Sequence, residues 1–462
     1  MAGADALLTA LDFLMREAAL FSASGFLILG VGDLFIDAVW LVLAGGLLLK
    51  RRKGVEPLRV ETLPKPAQPG RLAVFTPAWD EAGVIGTMLR HTLATFDYSD
   101  YRVYVGCYPN DAATIAEVRA IADERVRLVV GPVPGPTTKA DCLNRLWEAM
   151  LADERTEGRQ FKAVVLHDAE DVVHSAELRI FDALSEEYDL VQLPVVPLIH
   201  PKSLWVSGHY ADEFAESHAK ELVVREALGA AVPSAGVGCA FRCDALVRMA
   251  ERNGGLPFDA DSLTEDYELG LKLSEIGGRR TFARIAAGRG AVVATKEYFP
   301  QTLRAAVNQK ARWMTGIALS GWDRLGWRGG LAERWMRLRD RQSLLAAVLL
   351  FFGYLSFGLW VFLKVPELVT DWRPQPVSEL LAFILLLNLA ILVWRLSMRF
   401  AFVTHSYGWK QGLISLPRVA VSNVVAISAA WHAVLRYRTI RRSGRADWRK
   451  TAHAFPAELP AE

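Results

Sequence analysis

FKAVVLHDAED, residues 161–171, gives the clearest indication of the fold. The uninterrupted apolar run AVVL predicts a buried β-strand, and polar residues follow it at once. Three earlier stretches read the same way, LAVFTPAW (72–79), YRVYVGCY (101–108) and VRLVVG (126–131), and helical patterns separate the strands. Strands that alternate with helices predict an α/β fold with a mostly parallel sheet and helices on both faces.

Candidate binding residues follow three of these predicted strands. They are Asp80 and Glu81, then Asp111, then Asp168, Glu170 and Asp171. Ligands of parallel α/β sheets bind beyond the carboxyl ends of the strands, where these side chains are expected. Carboxylates that are crowded together remain ionised at little cost in free energy only when a cation neutralises them. A divalent metal, Mg²⁺ or Mn²⁺, would fit the last group and would also bind phosphate oxygens. A solvated acidic turn is the alternative.

Thr264-Glu265-Asp266 precedes the amphipathic pattern YELGLKLSEIG. A threonine N-cap followed by acids is an ordinary start of a helix, so these residues alone do not indicate a site. Gly236 and Gly238 mark tight backbone nearby, which simple turns would also explain.

Gln309, Arg312 and Trp313 share one face of a predicted helix, because they are spaced three and four residues apart. An amide, a cation and a large aromatic ring together could hold a diphosphate and a sugar ring. The alternative is an amphipathic helix at a membrane surface, with its arginine and tryptophan at the lipid headgroups.

Composition indicates a charged globular part joined to apolar spans. The chain has 462 residues, of which 52% are hydrophobic and 23% charged, and the net charge of +2 gives no reason to expect a nucleic-acid partner. The four cysteines form no CxxC pair and are expected to be free thiols. Membrane spans are predicted around residues 34–49, 344–363 and 380–393.

Basic residues flank these spans on the side of the long middle segment. Lys50 to Lys53 follow the first span and four arginines precede the second, which places the middle segment in the cytoplasm and the N-terminus outside. Residues 412–435 are also apolar, but a crossing there would put a very basic tail outside. An interfacial or protein-packed helix is therefore predicted for them, and a second interfacial helix for the first twenty residues.

Five segments are expected along the chain. They are an interfacial helix and first span (1–54), a cytoplasmic catalytic domain (55–300), interfacial helices (301–342), two spans (343–405), and an interfacial helix with a basic cytoplasmic tail (406–462).

Seven short motifs occur in an order that carries a resemblance. They are PAWDE (77–81), ND (110–111), KADCLN (139–144), HDAED (167–171), GVGCAFR (236–242), TEDYELGLKL (264–273) and QKARW (309–313). In this order the chain resembles the membrane-bound family 2 glycosyltransferases, which include cellulose and hyaluronan synthases. FIDAVW, LPRVAVSN and the tail DWRKTAHAFP look like the bacteriophage adsorption protein B family, inner-membrane partners of an outer-membrane phage receptor.

The resemblance implies a GT-A fold and a role for each motif. Donor-binding residues would be Asp80 or Glu81, Asp111, Lys139, Asp168, Gln309, Arg312 and Trp313. Metal ligands would be Asp168, Glu170 and Asp171, although Glu170 stands where the family has a second aspartate. Asp266 matches the catalytic base, with Glu265 and Arg312 beside it in the catalytic group. Gly236, Gly238 and Trp313 would border the acceptor.

The implied activity is inverting transfer from a UDP-sugar to a growing exopolysaccharide at the bacterial inner membrane. The partners would be a glycan or lipid-linked acceptor, membrane lipids and an outer-membrane export or phage-receptor protein. Two alternatives stay open: a single transfer to a lipid-linked acceptor, and a non-catalytic scaffold for phage entry.

Overall fold

A seven-stranded sheet forms the centre of the protein, for which a computed structural model describes residues 2–54, 56, 58–288, 291–443 and 454–456. Its strands are β1 (Arg71–Pro77), β2 (Tyr101–Cys107), β3 (Val126–Val130), β4 (Phe161–Leu166), β5 (Leu190–Gln192), β7 (Cys239–Arg242) and β8 (Arg280–Phe282). They lie in the order β3-β2-β1-β4-β7-β5-β8. Only β7 within this sheet runs antiparallel to its neighbours β4 and β5. The predicted mostly parallel α/β fold is confirmed.

Two minor pairings complete the described strands. β6 (Val195–Leu198) pairs in parallel with β11 (Thr295–Tyr298), and β9 (Ala286–Ala287) pairs antiparallel with β10 (Ala291–Val292).

Helices cover both faces of the sheet. In the region that contains the sheet, residues 71–341, they are α2 (Ile85–Thr95), α3 (Ala112–Arg119), α4 (Lys139–Glu157), α5 (Glu177–Leu184), α6 (Val206–Glu216), α7 (Leu222–Ala227), α8 (Cys243–Arg252), α9 (Glu265–Glu275), α10 (Leu303–Met314), α11 (Gly321–Leu325) and α12 (Leu331–Arg341). A π-helical turn, Ser217–Glu221, joins α6 to α7, and another, Thr315–Ser320, joins α10 to α11.

Side chains of β1 alternate between two apolar cores. Leu72 and Val74 pack with α2, α3 and α5, whereas Ala73 and Phe75 pack with α4, α8 and α9. This alternation is the two-residue period of a strand covered on both faces. Since β1, β2 and β4 are parallel, their carboxyl ends share one edge of the sheet. The antiparallel β7 begins at that same edge.

Four described helices are long and apolar enough to cross a membrane: α1 (Ala2–Arg52), α13 (Ser343–Val369), α14 (Glu379–Tyr407) and α15 (Trp409–Ser443). The first differs from the sequence prediction, because α1 is one helix of 51 residues and not an interfacial helix followed by a span. Ser356 of α13 donates to the carbonyl of Met15, and Asn388 of α14 donates to that of Ala23. The packed part of α1 therefore begins well before the predicted span.

Helix α15 packs at its start, middle and end against helices of the region that contains the sheet. Near the start, Arg418 forms an ion pair with Asp212 of α6 at 2.7 Å. Its middle contributes Val425, Ala429 and Ala433 to an apolar cluster with α10. Near the end, Tyr437 donates to Asp323 of α11 at 2.5 Å. These contacts support a protein-packed position for residues 412–435.

Part of the predicted basic tail lies outside the described residues. Residues 444–453 and 457–462 are not described, so residues 444–450 of the basic segment 436–450 and most of the tail motif 447–456 fall there. Within that motif, Phe455 lies beside His91 of α2, with ring centroids 5.8 Å apart.

Candidate active site

One cavity of about 610 Å³ lies at the edge of the sheet where β1 and β4 end. Nine of the residues singled out from the sequence line it: Glu81, Lys139, Asp168, Glu170, Glu265, Asp266, Gln309, Arg312 and Trp313. The acids, the lysine and the arginine-tryptophan face therefore share one cleft, although they are far apart in the chain.

Lys139 links two groups of acids in this cavity. It is the first residue of α4, after the N-cap Thr138, whose hydroxyl accepts from the backbone of Asp141 at 3.2 Å. Its Nζ lies 2.6 Å from Oδ1 of Asp168. Burial alone would lower the pKa of Lys139, but the nearby carboxylates, Asp168 foremost, outweigh burial and raise it. Lys139 therefore stays cationic at neutral pH.

Of the three predicted metal ligands, Asp171 does not line the cavity. Its Oδ2 accepts a 2.8 Å hydrogen bond from Nδ1 of His167 and a 3.1 Å bond from the backbone N–H of Asp168. Nε2 of His167 lies 3.1 Å from Glu177. Burial would lower the pKa of His167, but hydrogen bonds to the two carboxylates raise it to about 10. Asp171 is thus paired with a buried imidazolium beneath the acidic turn, and its placement does not fit a metal-ligand role.

Asp266 stands at the start of α9, opposite Gly236. Thr264 occupies the N-cap position of this helix, as the sequence predicts, but its side chain makes no capping hydrogen bond. Gly236 has φ +77°, and a Cβ built there would overlap Oδ2 of Asp266. Only glycine satisfies both the left-handed backbone and this close approach.

The pKa of Asp266 is set by opposing influences. Burial raises it above the usual range of an aspartate, while the charges of Lys139 and Arg312 lower it. The neighbouring Glu265 has its pKa raised to about 7, by burial first and then by Asp266. A carboxylate whose pKa is raised is a stronger base once it is ionised.

Helix α10 presents Gln309, Arg312 and Trp313 to the cavity on the single face that their spacing predicts. Trp313 belongs to a cluster of rings, with centroids 6.3 Å from Phe299 and 6.4 Å from Phe214. The ammonium of Lys310 lies 4.9 Å from the Trp313 ring centroid, where a cation is attracted to the aromatic face.

Besides Gly236, three further predicted donor or acceptor residues lie near the cavity without lining it. Asp111 caps α3, accepting from the backbone of Thr114 at 3.2 Å and from that of Asp80 at 2.6 Å. Asp80 itself has φ +55° in this turn. Gly238 packs against Thr295, which a Cβ would overlap. Asp80, Asp111 and Gly238 shape the turns that carry the lining residues.

Several lining residues were not predicted from the sequence. Trp79 precedes the first acids and lines the cavity, with its ring 5.3 Å from that of Tyr108. Its place inside PAWDE was the signal that could have identified it. Arg436 of α15 and a row of residues on α6 and α7 also line the cavity, and no short motif marks them.

The sequence profile described as "Glycosyltransferase like family 2" matches residues 69–316, more than half of the chain. The chain therefore belongs to glycosyltransferase family 2 and is a glycosyltransferase, which confirms the resemblance.

Two curated relatives are similar over most of this chain. Bacteriophage adsorption protein B of Escherichia coli (strain K12) and Bacteriophage N4 adsorption protein B of Escherichia coli O157:H7 are each 36% identical over 451 residues. The matches cover 93% of this chain but 60% of each relative, so the chain spans less than two thirds of their length.

Solved structures of glycosyltransferases show weaker similarity. The mannosyltransferase PcManGT from Pyrobaculum calidifontis, in complex with GDP-Man and Mn²⁺, has 16% identity and a TM-score of 0.45, covering 89% of this chain and 99% of that one. S. aureus TarS 1–349 with UDP-GlcNAc has 11% identity and a TM-score of 0.33, covering 84% and 98%. No functional argument follows at these scores.

Proposed function

We propose that this protein is an inverting glycosyltransferase that transfers a sugar from a UDP-sugar to a growing exopolysaccharide. The observation that carries the proposal is that Asp168, Asp266 and Arg312 line one cavity. This arrangement combines an acidic turn, a candidate base and a fixed cation, as transfer from a nucleoside diphosphate requires.

The donor diphosphate would lie between Lys139 and Arg312. Both side chains are cationic and line the cavity, and charge-assisted hydrogen bonds from them would stabilise the diphosphate as it departs. Trp79 and Glu81 line the cavity beyond the end of β1, where the nucleoside would lie.

A divalent metal, Mg²⁺ or Mn²⁺, fits this cavity only with help from the donor. Asp168 and Glu170 line it, but the described residues contain no group of three or more histidine, cysteine or acidic side chains arranged to hold a metal. Diphosphate oxygens and water would supply the remaining ligands, as is usual for such ions. When bound, the metal would offset negative charge on the diphosphate.

Asp266 would act as the base. Its carboxylate takes the proton from an acceptor hydroxyl, whose oxygen attacks the anomeric carbon of the donor sugar. The new glycosidic bond forms as the bond to the diphosphate oxygen breaks, and UDP leaves from the opposite face. Attack opposite the leaving group inverts the anomeric configuration.

Placement at the bacterial inner membrane, with the catalytic domain in the cytoplasm, completes the proposal. The four long apolar helices support membrane association, and the basic flanks of the first two spans support this orientation. The relatives' names support a role in phage adsorption with an outer-membrane partner.

The central test is Asp266→Asn, which keeps the shape of the side chain and removes the base. Sugar transfer is expected to fall by about 10²–10⁴-fold, the usual contribution of a general base. Binding of UDP, measured by calorimetry, is expected to change little. The matched control is Asp261→Asn, an exposed aspartate five positions away that does not line the cavity. Near-normal turnover of Asp266→Asn would exclude this base.

The donor and the acceptor call for a separate experiment. Purified protein would be incubated with several labelled UDP-sugars, with and without Mg²⁺ or Mn²⁺, and the products separated by size. A long ladder of products is expected from polymer extension. One discrete species would instead indicate a single transfer to a lipid-linked acceptor. The absence of any transfer would indicate a non-catalytic scaffold.

A further inference from the structure

The first turn of α9 holds the carboxylate of Asp266 in one orientation. The backbone N–H of Tyr267 donates to its Oδ1 at 2.7 Å, and Gly236 lies against its Oδ2. The side chain of Thr264 makes no capping hydrogen bond, so the start of the helix lacks the contact that usually fixes it. The direction of the carboxylate therefore depends on what fixes the backbone of Tyr267.

Tyr267 is fixed by its own side chain. Its ring is buried and packs with Ala231, Leu271 and Leu325 in one apolar cluster. Its hydroxyl donates to Oδ2 of Asp340, on α12, at 2.6 Å. Burial first, and then the charge of Asp340, raise the pKa of Tyr267 well above its usual range. The hydroxyl therefore keeps its proton and remains a donor to α12.

Asp340 is itself held from the other side. Both of its carboxylate oxygens accept from Nη1 of Arg225, at 2.8 and 2.9 Å. Arg225 belongs to α7, is almost fully buried, and donates from Nε to the carbonyl of Ala231. Hydrogen bonds between charged groups are the stronger class. Arg225, Asp340 and Tyr267 thus form one chain of hydrogen bonds that ends beside Asp266.

Helix α12, which carries Asp340, has a fixed place against its neighbours. Glu333 accepts from the backbone N–H of Ala231 at 2.7 Å. Arg337 donates to Glu333 at 2.7 Å and to the carbonyl of Leu325 in α11 at 2.9 Å. Both side chains are buried. The end of α12 is therefore a firm support for Asp340, and α13 begins two residues after α12 ends.

Glu268 ties the same turn of α9 to α11. Both of its carboxylate oxygens lie 2.9 Å from Nε of Arg324, and the hydroxyl of Ser262 donates to Oε1 at 2.7 Å. Helix α11 follows the π-helical turn after α10, which carries Arg312. The start of α9 therefore contacts both helices that lie between the arginine-tryptophan face and α13.

We propose that Asp340 is a positioning residue that fixes the carboxylate of Asp266 through the side chain of Tyr267. The inference rests on the base proposed above, and it gives α12 a part in placing that base. A direct contact between Asp340 and the substrate is the alternative, because Asp340 also lines the cavity. The oxygens of Asp340 are already engaged by Arg225 and Tyr267, which favours the positioning role.

The test is Tyr267→Phe in the full-length protein in detergent, with a panel of UDP-sugars as donors. This change removes the hydroxyl and keeps the ring that packs in the apolar cluster. A small displacement of a catalytic group can cost up to about 10²-fold in rate, so kcat should fall about 10-fold to 10²-fold. The donor KM and the Kd of UDP should stay within about twofold, since the base does not bind the donor.

Calorimetry with UDP separates positioning from loss of folded protein. The number of UDP-binding sites per chain counts the folded molecules, and kcat is expressed per site. The matched control is Tyr104→Phe, because the buried hydroxyl of Tyr104 also donates to a carboxylate, that of Asp153, at 3.0 Å. Tyr104 does not line the cavity, so its variant should keep kcat within about twofold.

A double variant tests whether Asp340 acts through Tyr267. Asp340→Asn keeps the shape of the side chain and removes its charge, and it should lower kcat as Tyr267→Phe does. If both changes break one chain, the double variant should lose no more activity than the weaker of the two single variants. If the two losses multiply, or if Asp340→Asn alone raises the acceptor KM, Asp340 acts directly and the positioning role is wrong.

The outcomes distinguish this inference from the function it rests on. If the unmodified protein transfers sugar from none of the donors, the proposed transfer fails and the positioning role fails with it. If the unmodified protein is active and Asp266→Asn is not, the base stands. In that case Tyr267→Phe overturns the positioning role alone if it keeps its kcat per site, or if it raises the donor KM as much as it lowers kcat.

Discussion

Lys139 connects the acidic turn to the proposed base, because its ammonium pairs with Asp168 and lowers the pKa of Asp266. In Lys139→Met that lowering is lost, so the pKa of Asp266 rises further. The base is then protonated at higher pH, and the acid limb of the pH profile of kcat/KM should move upward.

The shape of this profile is independent of the absolute loss of rate that Lys139→Met also causes by weakening the donor site. Lys202→Met, at an exposed lysine outside the cavity, is the control. If the acid limb stays at the pH found for the unmodified protein, Lys139 does not influence the pKa of Asp266.

The sequence motifs predicted which residues lie at the site better than they predicted which of these side chains face the cavity. Asp168 and Asp171 belong to one short motif, yet only Asp168 faces the cavity, because His167 pairs with Asp171 on the buried side. Nothing in the spacing of HDAED shows that its histidine turns inward. Asp111 does not line the cavity either, because its carboxylate accepts the backbone N–H of Thr114 and caps α3.

Among the helices, α15 depends on a fully buried ion pair. Neither Arg418 nor Asp212 has any exposed side-chain area, and Arg418 also donates to the carbonyl of Gly208 at 2.8 Å. Removing one partner leaves a buried charge, so Arg418→Met should cost about 3–5 kcal/mol. The measurement is the midpoint of thermal unfolding in detergent.

The double variant Arg418→Met with Asp212→Leu removes both charges and should regain much of that stability. If Arg418→Met alone unfolds at the temperature of the unmodified protein, the pair does not hold α15 in place.

The lengths of the helices, and the elements against which they pack, were harder to predict from the sequence than the presence of the helices. The apolar pattern of residues 412–435 suits a membrane span and a protein-packed helix equally, and the contacts of Arg418 with α6 are long-range. The antiparallel β7 was not predicted either, because the direction of a strand depends on a partner far away in sequence. The alternation of strands and helices, by contrast, is local, and it predicted the α/β fold.

Across the whole molecule, the contacts of α15 at both ends predict that its ends lie on one side of the membrane. Lys410→Cys and Arg442→Cys, both at exposed positions, should react with an impermeant thiol reagent from the same side as Glu251→Cys in the catalytic domain. Asp371→Cys, in the loop between α13 and α14, should react from the other side. If Arg442→Cys labels together with Asp371→Cys, α15 crosses the membrane.

Helix α1 has a mechanical consequence. Its 51 residues form one rod of about 75 Å, and the same rod carries Thr9, which contacts the loop after α13, and Ile36, which lines the cavity. Because α1 is one continuous helix packed against α13 and α14, a displacement of one of its ends is transmitted to the other. If α1 crosses the membrane as proposed, a protein that bound its N-terminal end would displace Ile36, and with it one wall of the cavity, without any ligand passing between the two sides of the membrane.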